Sequence, residues 1–327
     1  MEELKLTFIN VGYGEAILLE CPDPRSSGGV FTMLIDGGSA ESSEYADRSS
    51  GRVPLAEYLA ARQLGHLDLL VSTHIHEDHI CASLPAARDL PPAAFWQALP
   101  ADVLPCMTAL DETLAETPSQ SKFLRALNDY RTLRGCLEQR GTPIRTLVAG
   151  DEGQLCEGLR FRVLAPSAER ESELASLMRA LYAPMTPDDF RKQLSALDAR
   201  MNNFSLMLAL DYRGTRILLP GDTNREGYGG IASTDLRADL FKVGHHGQRD
   251  GVSRELAEAI RPKAVVCCAS SDRRYNSAHP DALDLLTACG AQWYFSDCPE
   301  TAEGPVPPHQ ALVFTIGANG KLNACYQ

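Results

Sequence analysis

The chain contains no apolar run close to the length of a membrane-spanning helix. A span needs about 20 consecutive apolar residues, so we do not expect this chain to cross a membrane. The opening residues, Met1-Glu2-Glu3-Leu4-Lys5, also lack the basic and then apolar order of a signal peptide. Together these absences predict a cytoplasmic protein.

The cysteines lack the spacing of a structural metal site. There are 10 of them, but no Cys-x-x-Cys occurs. The adjacent pair Cys267-Cys268 follows Ala264-Val265-Val266, an apolar run typical of a buried strand. The pattern therefore predicts reduced thiols rather than disulfides or a zinc ribbon.

Positive charge is also scarce. The 327 residues include 31 Lys and Arg against 43 Asp and Glu, a formal net charge of −12. Avid, non-specific binding to nucleic acid draws much of its affinity from lysine and arginine. The charge therefore argues against a protein that coats long duplex DNA, and leaves open a nucleotide or a short strand as substrate.

What the chain does have is a dense group of metal-ligand residues in Thr73-His74-Ile75-His76-Glu77-Asp78-His79. The group directly follows Leu69-Leu70-Val71-Ser72, which is predicted to end a buried strand. Imidazole suits zinc, iron or manganese, and the added carboxylate allows a site for two ions with positions left for water. This spacing predicts a metal site rather than a solvated loop.

Three later predicted strands also end in polar, ligand-type residues. The segments that follow them are Gly221-Asp222, His245-His246-Gly247 and a loop with Tyr275, Asn276 and His279. A common active edge explains this repetition better than three unrelated loops. The 44% hydrophobic content is ample for the core that such a sheet needs.

The four residues His74, His76, Asp78 and His79 resemble the HxHxDH signature of the metallo-β-lactamase superfamily. Further segments are similar, in order, to the lactamase-like domain of ComEC-type DNA-uptake proteins and their free-standing relatives: residues 8–17, 34–38, 202–206, 218–222 and 242–247. The resemblance implies a single domain over residues 1–327, of the α/β (α+β) class, folded as a four-layer αββα metallo-β-lactamase sandwich. Helical patterns predict insertions at residues 91–141 and 166–200.

The resemblance also implies two divalent metal ions, zinc or manganese. It assigns His74 and His76 to the first ion, Asp78, His79 and His246 to the second, and Asp222 to a bridging position. His245 is the open alternative to His246. Asp36 matches an aspartate that accepts the free N–H of a metal-bound histidine and fixes its tautomer.

This sequence departs from many superfamily members at the first ion. Asn202, Asn203 and Ser205 stand where a third histidine is usual, a substitution that the ComEC-type branch shares. Amides and hydroxyls are poorer zinc ligands, so Asn202 and Ser205 are candidate weak ligands and the first site is expected to be weak.

The predicted function is a metal-dependent hydrolase, a phosphodiesterase or nuclease that uses a metal-bound hydroxide. The expected substrate is DNA, RNA or a small nucleotide phosphodiester, with single strands or ends favoured. Asp78 and Asp222 are predicted to hold the hydroxide. The candidates for phosphate contact or leaving-group protonation are Lys242, His245 and His279.

Two alternatives stay open. One is a carboxyl-ester, thioester or lactone hydrolase of the same superfamily, and the other is a non-catalytic metal-binding protein. The opening segment has Asn10, Tyr13 and Glu15 where the family has DVGQGD, so the exact substrate does not follow from the resemblance.

Overall fold

The computed structural model describes residues 3–301 and 304–327. Its strands are β1 (Leu4–Ile9), β2 (Ile17–Pro22), β3 (Val30–Ile35), β4 (Leu67–Val71), β5 (Pro92–Gln97), β6 (Ile144–Thr146), β7 (Glu152–Cys156), β8 (Leu159–Ala165), β9 (Met207–Tyr212), β10 (Thr215–Leu219), β11 (Leu240–Lys242), β12 (Ala264–Cys267), β13 (Gln292–Phe295), β14 (Glu300–Thr301), β15 (Gly304–Pro305), β16 (Ala311–Ile316) and β17 (Leu322–Tyr326).

The α-helices are α1 (Leu55–Ala61), α2 (Glu77–Ile80), α3 (Ser83–Asp89), α4 (Pro118–Gln139), α5 (Ala168–Leu181), α6 (Pro187–Met201), α7 (Ser233–Leu236), α8 (Arg254–Ile260) and α9 (Pro280–Ala288).

Two large sheets form the centre of the molecule. The first has eight strands in the order β17-β16-β1-β2-β3-β4-β5-β6, and the second has seven in the order β13-β12-β11-β10-β9-β8-β7. Strands β3 to β6 run parallel to one another, as do β10 to β13, whereas the hairpin strands are antiparallel. In parallel strands the carboxyl ends share one edge, which is where ligands bind in α/β sheets.

The apolar side chains divide into three buried layers. One lies between the sheets and includes Leu6, Leu69 and Leu208. A second packs α1, α3, α4, α5 and α6 on the outer face of the first sheet, and a third packs α8 and α9 on the outer face of the second. Each sheet is thus covered on both faces, and the predicted αββα sandwich is confirmed.

Turn and cap residues account for several local features. Strands β1 and β2 pair as a hairpin, and β9 and β10 pair across Arg213-Gly214. Thr186 is the N-cap residue of α6, and its hydroxyl accepts a hydrogen bond from the Asp189 N–H. Gly141, just past the end of α4, has φ +71°, the left-handed conformation that a glycine stop supplies.

The segment 91–141 differs from the helical insertion predicted for it. Its first part is β5, which lies between β4 and β6 in the first sheet, so it belongs to the sandwich itself. The sequence did not indicate this strand, because prolines at 91 and 92 are unusual in a strand within a sheet. The helical part is α4, and residues 166–200 contain the two predicted helices, α5 and most of α6.

Over the described ranges, no helix is both long and apolar enough to traverse a membrane. Cys267 and Cys268 are buried as expected, and none of the ten cysteines is in a disulfide in the described structure.

Candidate metal centre

The site forms where four loops meet at one edge of the sandwich. The segment after β4 carries His74 to His79, and the ends of β10 and β11 carry Asp222 and His246. The fourth loop is the turn between β1 and β2. It is joined to the metal-ligand segment by a hydrogen bond from the Glu15 N–H to the Asp78 carbonyl at 3.1 Å. Gly14 has φ +136°, and a Cβ there would lie 2.3 Å from that carbonyl oxygen, so only glycine permits this approach.

Four side chains converge at the centre of this edge. Ligand atoms of Asp78, His79, Asp222 and His246 all lie within 4.8 Å of one another. The Nε2 atom of His246 is 2.8 Å from Asp222 Oδ2, 3.0 Å from Asp78 Oδ2 and 3.4 Å from His79 Nε2. Two carboxylates and two imidazoles in this geometry fit a divalent cation.

The opposite ring nitrogens fix which atoms face this centre. The Nδ1–H of His246 donates to the Cys268 carbonyl at 2.6 Å, and that of His79 donates to Asp36 Oδ2 at 2.8 Å. Since a carbonyl can only accept, His246 carries its proton on Nδ1 and turns Nε2 toward the carboxylates. This is how metal-binding histidines are oriented in proteins.

A second pair of imidazoles lies beside the first centre. The Nε2 of His74 is 3.0 Å from the Nδ1 of His76, and the His74 and His79 rings are 4.2 Å apart at their centroids. Thr73 Oγ1 accepts the Nδ1–H of His74 at 3.0 Å, while Asp198 Oδ1 accepts the Nε2–H of His76 at 3.1 Å. Both facing nitrogens therefore present lone pairs, an arrangement that fits a second cation.

The charges of the centre reinforce each other. Burial opposes the charged form of His246, but Asp222 and Asp78 raise its pKa to about 9. The same carboxylates raise the pKa of His79 well above its usual value despite burial. Burial lowers the pKa of His74 well below its usual value, with the positive charges nearby adding to the effect. The field that favours positive charge at His79 and His246 also favours a divalent cation between them.

Asp36 lies behind the centre and is hydrogen-bonded to Thr73 and His79. Its Oδ1 accepts from the Thr73 N–H at 2.8 Å, and its Oδ2 accepts from the Thr73 hydroxyl and from His79. Asp36, His74 and His79 also form a group with ligand atoms within 4.8 Å. Because both carboxylate oxygens of Asp36 already accept hydrogen bonds, we regard Asp36 as a support rather than a ligand.

Of the residues in place of the third histidine, Ser205 has a defined contact. Its hydroxyl accepts from the Asp222 N–H at 3.2 Å and so helps to hold the loop that carries this aspartate. The side-chain oxygen of Asn202 is buried without a hydrogen-bond partner within the described residues. Asn203 turns instead toward Gly227.

Lys242 does not reach the face where a substrate would lie. The side chain is fully buried and forms ion pairs with Glu15 and with Asp222 Oδ1, the latter at 2.9 Å. Its third acceptor is the Gly221 carbonyl at 2.8 Å. All three ammonium protons are thus engaged, which excludes the phosphate contact or proton transfer predicted for it.

The neighbouring histidines separate into different roles. His246 joins the converging atoms, while the Nδ1 of His245 lies 2.8 Å from Asp250 Oδ1. His279 is not brought to the centre: its Nδ1 accepts the Asp281 N–H at 3.1 Å and caps α9. Both His245 and His246 have positive φ, +47° and +50°, a backbone strain that is typical of functional sites.

Two residues near the centre carried no clear sequence signal. The ring of Tyr13 lies 4.4 Å from that of His246, and burial with the charges of Asp78 and Asp222 raises its pKa above the usual range. Lys122 lies on α4, a helix that also brings Phe123 to within 5.5 Å of the His76 ring, centroid to centroid. A helix far along the chain gives no local pattern from which this placement follows.

Partial burial opposes the charged form of Lys122. The hydroxyl of Tyr275 and the carboxylates of Glu77, Glu41 and Asp78 outweigh it and raise the pKa of Lys122 above its ordinary value. Its side chain is 34% exposed, and its Nζ lies 3.8 Å from Glu41 Oε2. Lys122 is thus an accessible cation on the α4 side of the site.

Sequence comparison identifies a relative of this chain. No protein-family model matches the chain. It is 25% identical over 293 residues to ComE operon protein 3 of Bacillus subtilis (strain 168), a match that covers 87% of this chain and 30% of that relative. Solved structures that align with this chain include members of the metallo-β-lactamase superfamily. It spans less than a third of the length of this ComEC-like relative.

Three of the solved structures that align with this chain belong to different kinds of protein. Zn²⁺-bound PqqB from Methylobacterium extorquens is 10% identical, with a TM-score of 0.40 and coverage of 86% of this chain and 84% of that one. The diiron β-hydroxylase CmlA from Streptomyces venezuelae is 14% identical, with a TM-score of 0.45 and coverage of 90% and 52%. The metallo-β-lactamase MEM-A1 from a soil metagenome library is 13% identical, with a TM-score of 0.35 and coverage of 86% and 79%.

Proposed function

We propose that this protein is a metal-dependent phosphodiesterase or nuclease that cleaves DNA, RNA or a small nucleotide phosphodiester. The observation that carries the proposal is the convergence of Asp78, His79, Asp222 and His246 within 4.8 Å, directly beside the His74–His76 pair. Such a donor set is suited to hydrolysis by a site that holds two metal ions.

The side chains could hold two zinc or manganese ions. His74 through Nε2 and His76 through Nδ1 would hold the first ion, and Asp78, His79 and His246 would hold the second. Asp222 would offer Oδ2, because Lys242 occupies its Oδ1. When bound, the ions acidify a water molecule and neutralise charge on the oxygens of the substrate.

Two polar side chains favour a phosphodiester over a neutral ester. Lys122 lies close enough to Asp78 for the two charges to interact, and His245 is paired with Asp250. Phosphoryl transfer places negative charge on non-bridging oxygens, which a nearby ammonium group or N–H donor stabilises. Lys122 is assigned to this contact, and His245, oriented by Asp250, to the phosphate or the leaving group.

The net charge reduces the range of phosphodiester substrates that we expect. At −12 the chain repels a long polyanion, except where its own cations and bound metal offset the charge. A single strand, a strand end or a small nucleotide presents fewer phosphates to this surface. These substrates are therefore favoured over long duplex DNA.

The test is hydrolysis of bis(p-nitrophenyl) phosphate by metal-stripped protein, before and after zinc or manganese is restored. Turnover should return with metal and disappear in Asp222→Ala, whereas Asp284→Ala, an exposed aspartate on α9, should behave as the native protein. Metal content is measured in each sample. Inactivity of fully remetallated native protein, with cleavage of a carboxyl ester, thioester or lactone instead, would refute the proposal. Metal binding without any turnover would identify a non-catalytic protein.

A further inference from the structure

Tyr275 is an exposed aromatic residue at the rim of the metal centre. Its side chain is 55% exposed, and among the described residues it is the only large apolar side chain with that degree of exposure. Its ring packs edge-on against Tyr13 at 5.0 Å between centroids, and Tyr13 in turn packs on the His246 ring at 4.4 Å. The three rings form a continuous aromatic path from a metal-site histidine to solvent.

The backbone under Tyr275 is held in an unusual conformation. Tyr275 and Asn276 have φ of +56° and +60°, values that cost of order 1–3 kcal/mol for residues with a side chain. Two hydrogen bonds tie the end of this loop to the metal-site loop: Ala278 N–H to the His246 carbonyl at 2.9 Å, and His279 N–H to the Gly247 carbonyl at 2.8 Å. These two hydrogen bonds hold the Tyr275 loop in place, so its backbone keeps the strained conformation.

One buried carboxylate anchors both tyrosines. Oε1 of Glu44 accepts the Tyr13 N–H at 3.0 Å, and its Oε2 accepts from the Arg274 guanidinium at 2.6 Å, one residue before Tyr275. Arg52 pairs with the same Glu44 at 3.1 Å and is itself 10% exposed. At Gly12, with φ +76°, a Cβ would lie 2.3 Å from Glu44 Oε1, so the turn is shaped to admit this carboxylate.

We propose that Tyr275, supported by Tyr13, is a stacking platform for the nucleobase of a nucleoside phosphodiester whose phosphate lies at the metal centre that Asp78, Asp222 and His246 would form. The inference rests on the proposed phosphodiesterase function and names its substrate class. Every nucleobase presents a π-face, so a tyrosine platform accepts different bases. A rigid platform also loses little conformational entropy when the substrate binds.

The position of the platform suits this substrate. Two ring-to-ring steps, 4.4 Å and 5.0 Å, join the metal-site histidine to Tyr275, so the platform lies beside the metal centre and not on a remote surface. A phosphodiester without a base would leave Tyr275 uncontacted. The platform should therefore discriminate between nucleoside and simple alkyl phosphodiesters.

The experiment compares two substrates with the same leaving group: the p-nitrophenyl ester of thymidine monophosphate and methyl p-nitrophenyl phosphate. In Tyr275→Ala, the ratio of kcat/KM for the thymidine ester to that for the methyl ester should fall about tenfold, the size of one lost base–aromatic stack. Tyr275→Phe keeps the ring and should keep the native ratio. An unchanged ratio in Tyr275→Ala, or an equal loss on both substrates, would overturn the inference.

Failure of the proposed function gives a different result. The remetallated native protein would then hydrolyse neither ester. The role of Tyr275 as a platform would be tested instead by calorimetric measurement of the binding of the dinucleotide thymidylyl-thymidine. Binding that weakens about tenfold in Tyr275→Ala and not in Tyr275→Phe would support the platform without hydrolysis. Absence of binding, or binding that is equal in all three proteins, would refute it.

Discussion

Oδ1 of Asp198 accepts a hydrogen bond from the Nε2–H of His76 at 3.1 Å, which joins helix α6 to the metal-binding segment. The other oxygen of Asp198 accepts from the Ser119 hydroxyl at 2.9 Å, in the first turn of α4. Two of the helices outside the first sheet, α4 and α6, thus contribute to the orientation of one metal-site ring.

Removal of the Asp198 carboxylate should weaken the first metal site. In Asp198→Ala, His76 loses the partner that keeps the proton on Nε2, so we expect metal affinity at the His74–His76 site to fall by about 10- to 100-fold. Titration of the stripped protein against a chromogenic chelator measures this affinity. Asp188→Ala, an exposed aspartate on the same helix, is the control and should leave both affinities unchanged. Equal affinities in Asp198→Ala and native protein would contradict the prediction.

His245 and His246 should differ in metal stoichiometry. His246→Ala removes a nitrogen that lies 2.8 Å from Asp222 and should abolish binding of one equivalent of metal. His245→Ala removes a ring whose Nδ1 faces Asp250, and should retain two equivalents. Metal analysis after dialysis decides between them. Loss of metal in His245→Ala with retention in His246→Ala would reverse the assignment.

Lys122 should act on substrate binding rather than on folding. Lys122→Ala removes an accessible cation and should lower kcat/KM for bis(p-nitrophenyl) phosphate by about tenfold, within the range for a charged group on a developing oxyanion. Lys122→Arg keeps the charge and should recover most of the loss. Lys192→Ala on α6, where the lysine is 76% exposed, is the control. A fall in melting temperature that matches the loss of activity would point to a structural role instead.

Lys242 should be required for stability. Lys242→Met leaves the buried carboxylates of Glu15 and Asp222 without their cation, which we expect to cost about 3–5 kcal/mol of unfolding free energy. In the double variant Glu15→Gln/Lys242→Met the cost should be smaller, because one uncompensated charge is removed. Urea unfolding of metal-free protein gives these values. Lys263→Met, at a lysine 79% exposed, is the control, and native-like stability of Lys242→Met would disprove the assignment.

Asp297 should contribute to acid sensitivity. Burial opposes its charged form, but Arg52 at 2.8 Å and the Ser271 N–H at 2.7 Å lower its pKa below the ordinary 3.8. Because the folded pKa is the lower one, the stabilisation is fully present above the ordinary value. It is lost as the pH falls through the depressed folded value.

Asp297→Asn should therefore cost about 1.5–3 kcal/mol at pH 7, the range for hydrogen bonds to a charged group. The difference from native protein should shrink as the pH approaches the depressed pKa of Asp297. Urea unfolding over a pH series measures it. A difference that stays constant with pH would show that Asp297 does not titrate in this way.

The sequence by itself predicted the candidate metal ligands and the scaffold beneath them. The spacing of His74, His76, Asp78 and His79 after an apolar strand is a local pattern, and local patterns persist whatever the distant chain does. Glycine turns and strand ends likewise predicted that Asp222 and His246 would share an edge. Strand β5 was not predicted, because prolines at the start of a segment usually indicate a break in regular structure.

Only the tertiary structure decided what surrounds those ligands. Asp198 reaches His76 across 122 positions, and Arg274 reaches Glu44 across 230, so no periodicity or spacing encodes either contact. The role of Lys242 also depended on the fold. The sequence shows a lysine close to candidate metal ligands, but it does not show that Glu15 is buried against this lysine. Local chemistry selects the ligands, whereas long-range packing decides their orientation, their charge environment and the aromatic rim.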